Sequence, residues 1–281
     1  MKKKLLAIGL AVAVLAVTIV GMSIAYFTDS DNETNTFTVG NVHIQLNEQE
    51  RQLNADGSTI LGNFTQNKPL FPIVGSAQGE KDQWGLPTAA NYVDKVITIN
   101  NTGASDAFIR AYFAIPSALD DGYETFNAGM NILHFNFGNK VVDGNVYTTY
   151  QNEWKWLDDD NNWKYFQTTI GGIDYNVYYA DYYQALPAGE TTERFVDGLY
   201  LDAGVNFDDN GNMTITRNNE TEIVDLGGID LRSLNCPVFA IACQAAGFDT
   251  AEEAFTAAFG ANYDPWHPDT PWVDTWSNSN N

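Results

Sequence analysis

Beyond residue 36 the chain is dominated by short runs in which apolar and polar residues alternate with a period of two, separated by Asn, Asp and Gly. That period predicts strands with one buried face, and Asn, Asp and Gly are the residues that tight turns require. In the first run the apolar positions are odd at Phe37 and Val39 and even at Val42, Ile44 and Leu46, with Gly40-Asn41 between them. Such a change of parity predicts a bulge or bend, since otherwise one set would face water. Residues 94–99 and 107–115 flank the turn-forming Asn100-Asn101-Thr102-Gly103 and read as a hairpin or a crossover between sheets. In the second of these runs Ile109, Ala111, Phe113 and Ile115 share one face, and Phe108, Arg110 and Tyr112 the other. Residues 154–157 and 163–166 enclose a polar turn at 158–162; residues 175–183 and 195–201 read as further strands. Residues 205–207 and 213–215 enclose another turn, Asp208-Asp209-Asn210-Gly211-Asn212.

Residues 238–243 are apolar at every position, which predicts a central strand covered on both faces. Thr250-Ala251-Glu252-Glu253 is a capping-box pattern, so a helix is predicted over 251–259 with Gly260 as its stop. A second helical segment is predicted near 123–133. No Pro/Gly/Ser-rich linker divides the chain, and its length allows a substantial core, so one domain is expected over 26–264. The tail, 265–281, carries Trp266, Trp272 and Trp276 among prolines and acids without periodicity, and reads as a loose end or an extended segment that packs on a neighbour. The predicted fold class is all-β: an antiparallel β-sandwich of jelly-roll type with one or two short helices.

The first residues say where the chain goes. Lys2, Lys3 and Lys4 precede an uncharged apolar run over 5–24, closed by Ser23-Ile24-Ala25. A basic start, an apolar stretch and a small-x-small site make a secretory signal peptide over 1–25, cut between Ala25 and Tyr26. The run is also long enough to span a bilayer, for which about 20 residues suffice, so an uncleaved anchor is the alternative. Either way the positive-inside rule sends the rest of the chain outward.

The stretch Ala25-Tyr-Phe-Thr-Asp-Ser-Asp31 followed by Thr34-Asn-Thr-Phe-Thr-Val-Gly-Asn-Val-His-Ile-Gln-Leu46 resembles the leader and first strand of the TasA/camelysin family of Gram-positive bacteria. Asp94-Lys-Val-Ile-Thr-Ile-Asn-Asn-Thr-Gly103, Leu186-Pro-Ala-Gly-Glu-Thr-Thr192 and Gln244-Ala-Ala-Gly-Phe248 extend the resemblance. It implies that a SipW-type signal peptidase cuts at the alanine, and that the protein belongs to the biofilm matrix or the cell surface. It further implies homopolymers, or copolymers with related matrix proteins, built by donor-strand complementation. Phe37, Val39, Val42, Ile44 and Leu46 would then be the donor-strand residues filling pockets of the next subunit. The alternative is that this strand pairs within its own subunit. The long acidic and aromatic middle, 124–183, departs from compact relatives.

Charge narrows the partners. The chain carries 14 basic and 36 acidic residues, and loss of the three leader lysines lowers its net charge from −22 to −25. That balance argues against nucleic acid and anionic membrane as partners, which need basic patches, and leaves the leader as the only membrane contact. It suits cations, and keeps subunits apart until calcium or low pH reduces their repulsion. Calcium is the only cofactor considered, with Asp158, Asp160, Asp208 and Asp209 as oxygen ligands offered from turns, although neither turn has the twelve-residue loop with its distal glutamate.

A zinc protease is not supported: His43, His134 and His267 are scattered and no H-E-x-x-H is present. No G-x-S-x-G elbow occurs either, so no catalytic residue is assigned and the chain is not expected to be an enzyme. Cys236 and Cys243 would lie about 23 Å apart along a strand or about 10 Å along a helix, beyond the roughly 7 Å a disulfide allows. Free buried thiols are expected unless Pro237 bends the chain sharply; an intermolecular bond is the third choice. Trp154, Trp156, Trp163, Tyr165, Tyr178, Tyr179, Tyr182 and Tyr183 fill a core or form a sugar-stacking platform. The expected function is a secreted structural protein of the matrix or cell surface; the alternative is a carbohydrate-binding or other surface-binding module.

Overall fold

A computed structural model describes residues 42–65, 68–120, 131–137, 139–142, 145–148, 164–229 and 234–272. The expected all-β fold is what it shows: antiparallel strands in two packed layers, with one short α-helix among the described residues.

The first layer starts from β1 (Ile44–Leu53) and β2 (Thr59–Asn63), joined across the turn at Asn54 to Ser58. β1 pairs on its other side with β4 (Val96–Asn101), Ile44 opposite Asn101 and Leu46 opposite Ile99. The strand read over 94–99 is broken at Lys95, leaving β3 (Val93–Asp94) ahead of β4. β3 pairs with β11 (Val196–Leu201), which pairs in turn with β6 (Leu133–Phe137). The backbone bonds Phe195 N to Ile97 O (2.8 Å) and Thr192 N to Ile99 O (2.9 Å) carry the ladder from the β11 side to β4. The layer thus runs β2-β1-β3/β4-β11-β6.

The second layer has the order β15-β5-β10-β9, from β5 (Ala107–Pro116), β9 (Lys164–Ile170), β10 (Ile173–Asp181) and β15 (Val238–Gln244). β4 and β5 lie in different layers, so the turn at 100–103 is a crossover and not a hairpin. The alternation in β5 sorts as its pattern requires. Ile109, Ala111, Phe113 and Ile115 enter the core between the layers, with Ile97, Ile99, Val238 and Ala240. Phe108 and Tyr112 enter a second core on the outer face with Phe166, Phe239, Phe255 and Trp266.

That outer core exists because helix α1 (Ala251–Phe259) and residues 260–272 lie over the sheet. The N-cap is in place: Thr250 accepts from Glu253 N, while Glu253 accepts from Asp249 N, one residue ahead of the cap amide that a capping box would use. Of the tail, Trp266 is buried against Tyr112 and Phe239, and Trp272 stacks on Phe166 at 5.3 Å. Arg110 pins the helix to the sheet. It is buried, forks onto both oxygens of Asp181 (2.5 and 2.9 Å) and reaches Glu252 at 2.6 Å.

Three expectations need correction. Among the described strands β15 lies at the edge of its sheet and not at the centre; its unbroken apolar run reflects cover from the inter-layer core on one face and α1 on the other. Leu133, the predicted end of a second helix, opens strand β6, and residues 121–130 lie outside the described residues. The strand at 163–166 extends to Ile170 and pairs with β10, while its predicted partner at 154–157 lies outside the described residues. Beyond these, β12 (Val205–Phe207) and β13 (Met213–Arg217) form the predicted hairpin, to which β14 (Glu220–Ile223) adds a third strand. A short hairpin, β7 (Asn139–Val142) with β8 (Asn145–Thr148), completes the described strands.

Candidate functional site

The sequence-predicted site residues do not gather in one place. Ala25, Tyr26, Phe37, Val39, Asp158 and Asp160 lie outside the described residues, as do Trp154, Trp156 and Trp163. Val42, Ile44 and Leu46 are described, and their alternation is the one read from the sequence: Val42 and Ile44 are 0 and 1 % exposed, while His43 between them is open. All three belong to the chain's own inter-layer core. Four isoleucines of β4 and β5 share this core, so a large side chain there has no solvent to turn to.

β1 is anchored beyond its apolar residues. Arg51 donates to both carboxylate oxygens of Asp94 (2.7 and 2.6 Å), to Asp82 (3.0 Å) and to the Pro87 carbonyl (2.9 Å). It thereby ties β1 to β3 and to the 82–87 loop. Burial opposes the charge of this guanidinium, but Asp94 and Asp82 outweigh it and hold its pKa above the ordinary value. Glu48 and Glu50, on the same strand, pair with Lys95 and Lys68, and both ammonium groups lie over the Phe64 ring.

Among the described residues the three histidines lie apart, each with its own neighbours. His43 precedes β1; His134 in β6 stacks on Tyr200 at 4.9 Å and faces Asp202 at 3.2 Å. Burial lowers the His134 pKa against the pull of Asp202. His267 contacts Asp264 and Thr168, at 3.1 and 2.9 Å, in the segment after α1. Among the described residues no three His, Cys, Asp or Glu side chains converge as a metal site. Both thiols are free and buried, Cys236 facing the inter-layer core and Cys243 the outer one, and burial pushes each up to about 12. Neither is a nucleophile near neutral pH.

The Asp208 turn closes on itself. One carboxylate oxygen accepts from the amides of Asn210 and Asn212 at 2.9 and 2.8 Å, and the other from the Asn212 side chain at 2.9 Å. Those bonds hold its pKa below the ordinary value. Both oxygens serve the turn geometry, as an Asx turn requires. The tyrosines likewise serve packing: Tyr178 and Tyr182 are buried in the inter-layer core, Tyr179 packs with Tyr112 and Phe166, and Tyr183 is exposed. A stacking platform does not form from the described tyrosines.

What the fold does present is strand edges. Among the described strands, β2 and β6 end the first layer, β15 and β9 the second, and β14 ends the appended hairpin. β15 is apolar on both faces, and β1 passes close to it. Nothing in the sequence pattern marks β2 or β14 as edges, because β14 is exposed along its whole length and carries no alternation.

Residues 1–57 match the family model described as Camelysin metallo-endopeptidase, which is the TasA/camelysin family. The matched segment runs from the first residue to Gly57 in the β1–β2 turn. No curated protein matches the chain. No helix among the described residues is long and apolar enough to cross a membrane.

Proposed function

We propose that this chain is an exported structural protein of the extracellular matrix or cell surface that polymerises with copies of itself. The observation that carries the reading is the reach of the family match: it covers the leader, the first apolar arm and β1, the parts that export and strand exchange would use. A SipW-type peptidase would cut after Ala25 and free an N-terminal arm. Because Val42, Ile44 and Leu46 are committed to the chain's own core, the exchanged part is residues 26–41, with Phe37 and Val39 as its apolar contacts. The acceptor we assign is the edge of β15, where main-chain hydrogen bonds hold an added strand and the apolar flanks give it pockets.

The family description names a metallo-endopeptidase, and the residues do not fit that chemistry. A catalytic zinc needs three converging protein ligands and a base. Among the described residues the three histidines lie on separate elements, the two thiols are buried, and no three His, Cys, Asp or Glu side chains converge. We therefore read the chain as non-enzymatic. Calcium, if it acts, acts on repulsion between subunits of net charge −25 and not through the Asp208 turn.

The test is a double substitution in the arm. Phe37→Asp with Val39→Asp should abolish fibres while leaving the melting temperature of the subunit unchanged, and N-terminal sequencing of exported protein should begin at Tyr26. Fibres formed by the folded double variant would overturn the reading.

A further inference from the structure

β2 is an unusual edge. It ends the first layer, is partly or fully exposed along its length, and reads Thr59-Ile60-Leu61-Gly62-Asn63 without a charge, in a chain of 36 acids. Natural edge strands are normally blunted by charge, proline, a bulge or a covering segment. Two other described edges follow that rule: β14 carries Glu220 and Glu222, and β9 is tied through Thr168 and Phe166 to the segment after α1; β15 is the edge assigned above to the arm.

The ladder shows which groups β2 turns outward. Antiparallel pairs alternate between hydrogen-bonded and non-bonded. Asn54 N bonds Ser58 O (2.8 Å) and Phe64 N bonds Glu48 O (3.0 Å), so the bonded positions are 58, 60, 62 and 64. Thr59, Leu61 and Asn63 therefore point their main-chain groups away from β1. Among the described residues, only the Asn63 carbonyl of this set is engaged, by Gln52 Nε2 at 2.7 Å, and a carbonyl has a second lone pair.

This set is self-complementary. We propose that β2 pairs antiparallel with β2 of a second copy across a two-fold axis at Leu61. Leu61 then faces its own symmetry mate, Thr59 faces Asn63, and Ile60, which is 42 % exposed, lies opposite Gly62, over which the Gln52 side chain lies and has to shift to admit it. No like charges meet on the paired strands, so a copy of the same acidic chain can approach there and not at β14. The contact joins two five-stranded layers into one sheet, uses a different edge from the fibre contact, and does not rest on it.

The test uses purified residues 26–281 carrying Phe37→Asp and Val39→Asp, the change that blocks the fibre contact, in sedimentation velocity over a concentration series. With the wild-type β2 sequence this protein should show a reversible dimer. Leu61→Pro deletes an outward N–H while sparing the bonds from Ile60 and Gly62 to β1, so it should stay folded by circular dichroism and sediment as a monomer. Leu61→Lys, which sets two cations together on the axis, should do the same and serves if the proline variant fails to fold. Oxidised Leu61→Cys should give a covalent dimer, and Ile223→Cys on β14 should not. A protein with the wild-type β2 sequence that is monomeric throughout, a dimer unaffected in folded Leu61→Pro or Leu61→Lys, or no cross-link through Leu61→Cys would each overturn the proposal.

Discussion

Ile44→Ala separates the two ways in which β1 could be used. Ile44 is 1 % exposed, pairs with Asn101 on β4 and packs in the inter-layer core with Ile97, Ile99 and Ile109. Truncation removes three buried carbon atoms and leaves a cavity that close-packed β-branched neighbours cannot fill. Buried Ile→Ala changes cost about 2–5 kcal/mol, and the near-zero exposure places this one no lower than the middle of that range, about 3–4 kcal/mol. Ile44→Val should cost about 1 kcal/mol, and Gln45→Ala, on the more open face, under about 0.5 kcal/mol. Urea unfolding followed by tryptophan fluorescence reads the effect; with a slope of about 3 kcal/mol per molar for a chain of this size, the Ile44→Ala midpoint should fall by about 1 M at unchanged slope. If β1 were instead handed to a neighbour, the isolated subunit would lose nothing. A cost below about 1 kcal/mol for Ile44→Ala in the monomer would refute the placement of β1 in its own core.

Other consequences are equally direct. Arg110→Met leaves the largely buried Asp181 carboxylate without its forked partner and should destabilise the fold by about 3 kcal/mol, loosening α1 first, as amide exchange across 251–259 will show. His134 is held below the ordinary value of 6.5 by burial, so the unfolded chain binds more protons and stability should fall as the pH drops below about 6.5; His134→Gln should flatten that part of the melting-temperature profile. Cys236 and Cys243 should resist a thiol reagent in the folded protein and react together once it unfolds, seen as two added labels in the intact mass.

Much of the sandwich was legible in residue patterns, and the failures have physical causes. The alternation in 107–115 gave both the strand and its two faces, because β5 packs on both sides and each parity meets a different core. The unbroken apolar run at 238–243 gave burial correctly but not position, since a helix covers a sheet face as well as another strand layer does. β14 escaped notice because nothing buries either of its faces, and a strand held by main-chain bonds alone leaves no hydrophobic period. The fastening of 260–272 depends on Trp266, Trp272 and Asp264 meeting residues about 100 positions away or more, and a segment without periodicity gives no hint of such contacts. For the candidate site, Val42, Ile44 and Leu46 were identified as one buried set, but a two-residue period does not say whose core they enter. The Asp208 cluster shows the converse: oxygen-rich residues that resemble a cation loop are consumed by the turn itself.

The most direct measurement is negative-stain electron microscopy of residues 26–281 and of residues 42–281, across low pH and added calcium. The shortened chain keeps Val42, Ile44 and Leu46, so it should fold and stay unpolymerised while the longer one forms fibres. Fibres from both, or from neither under any condition, would contradict assembly through the N-terminal arm.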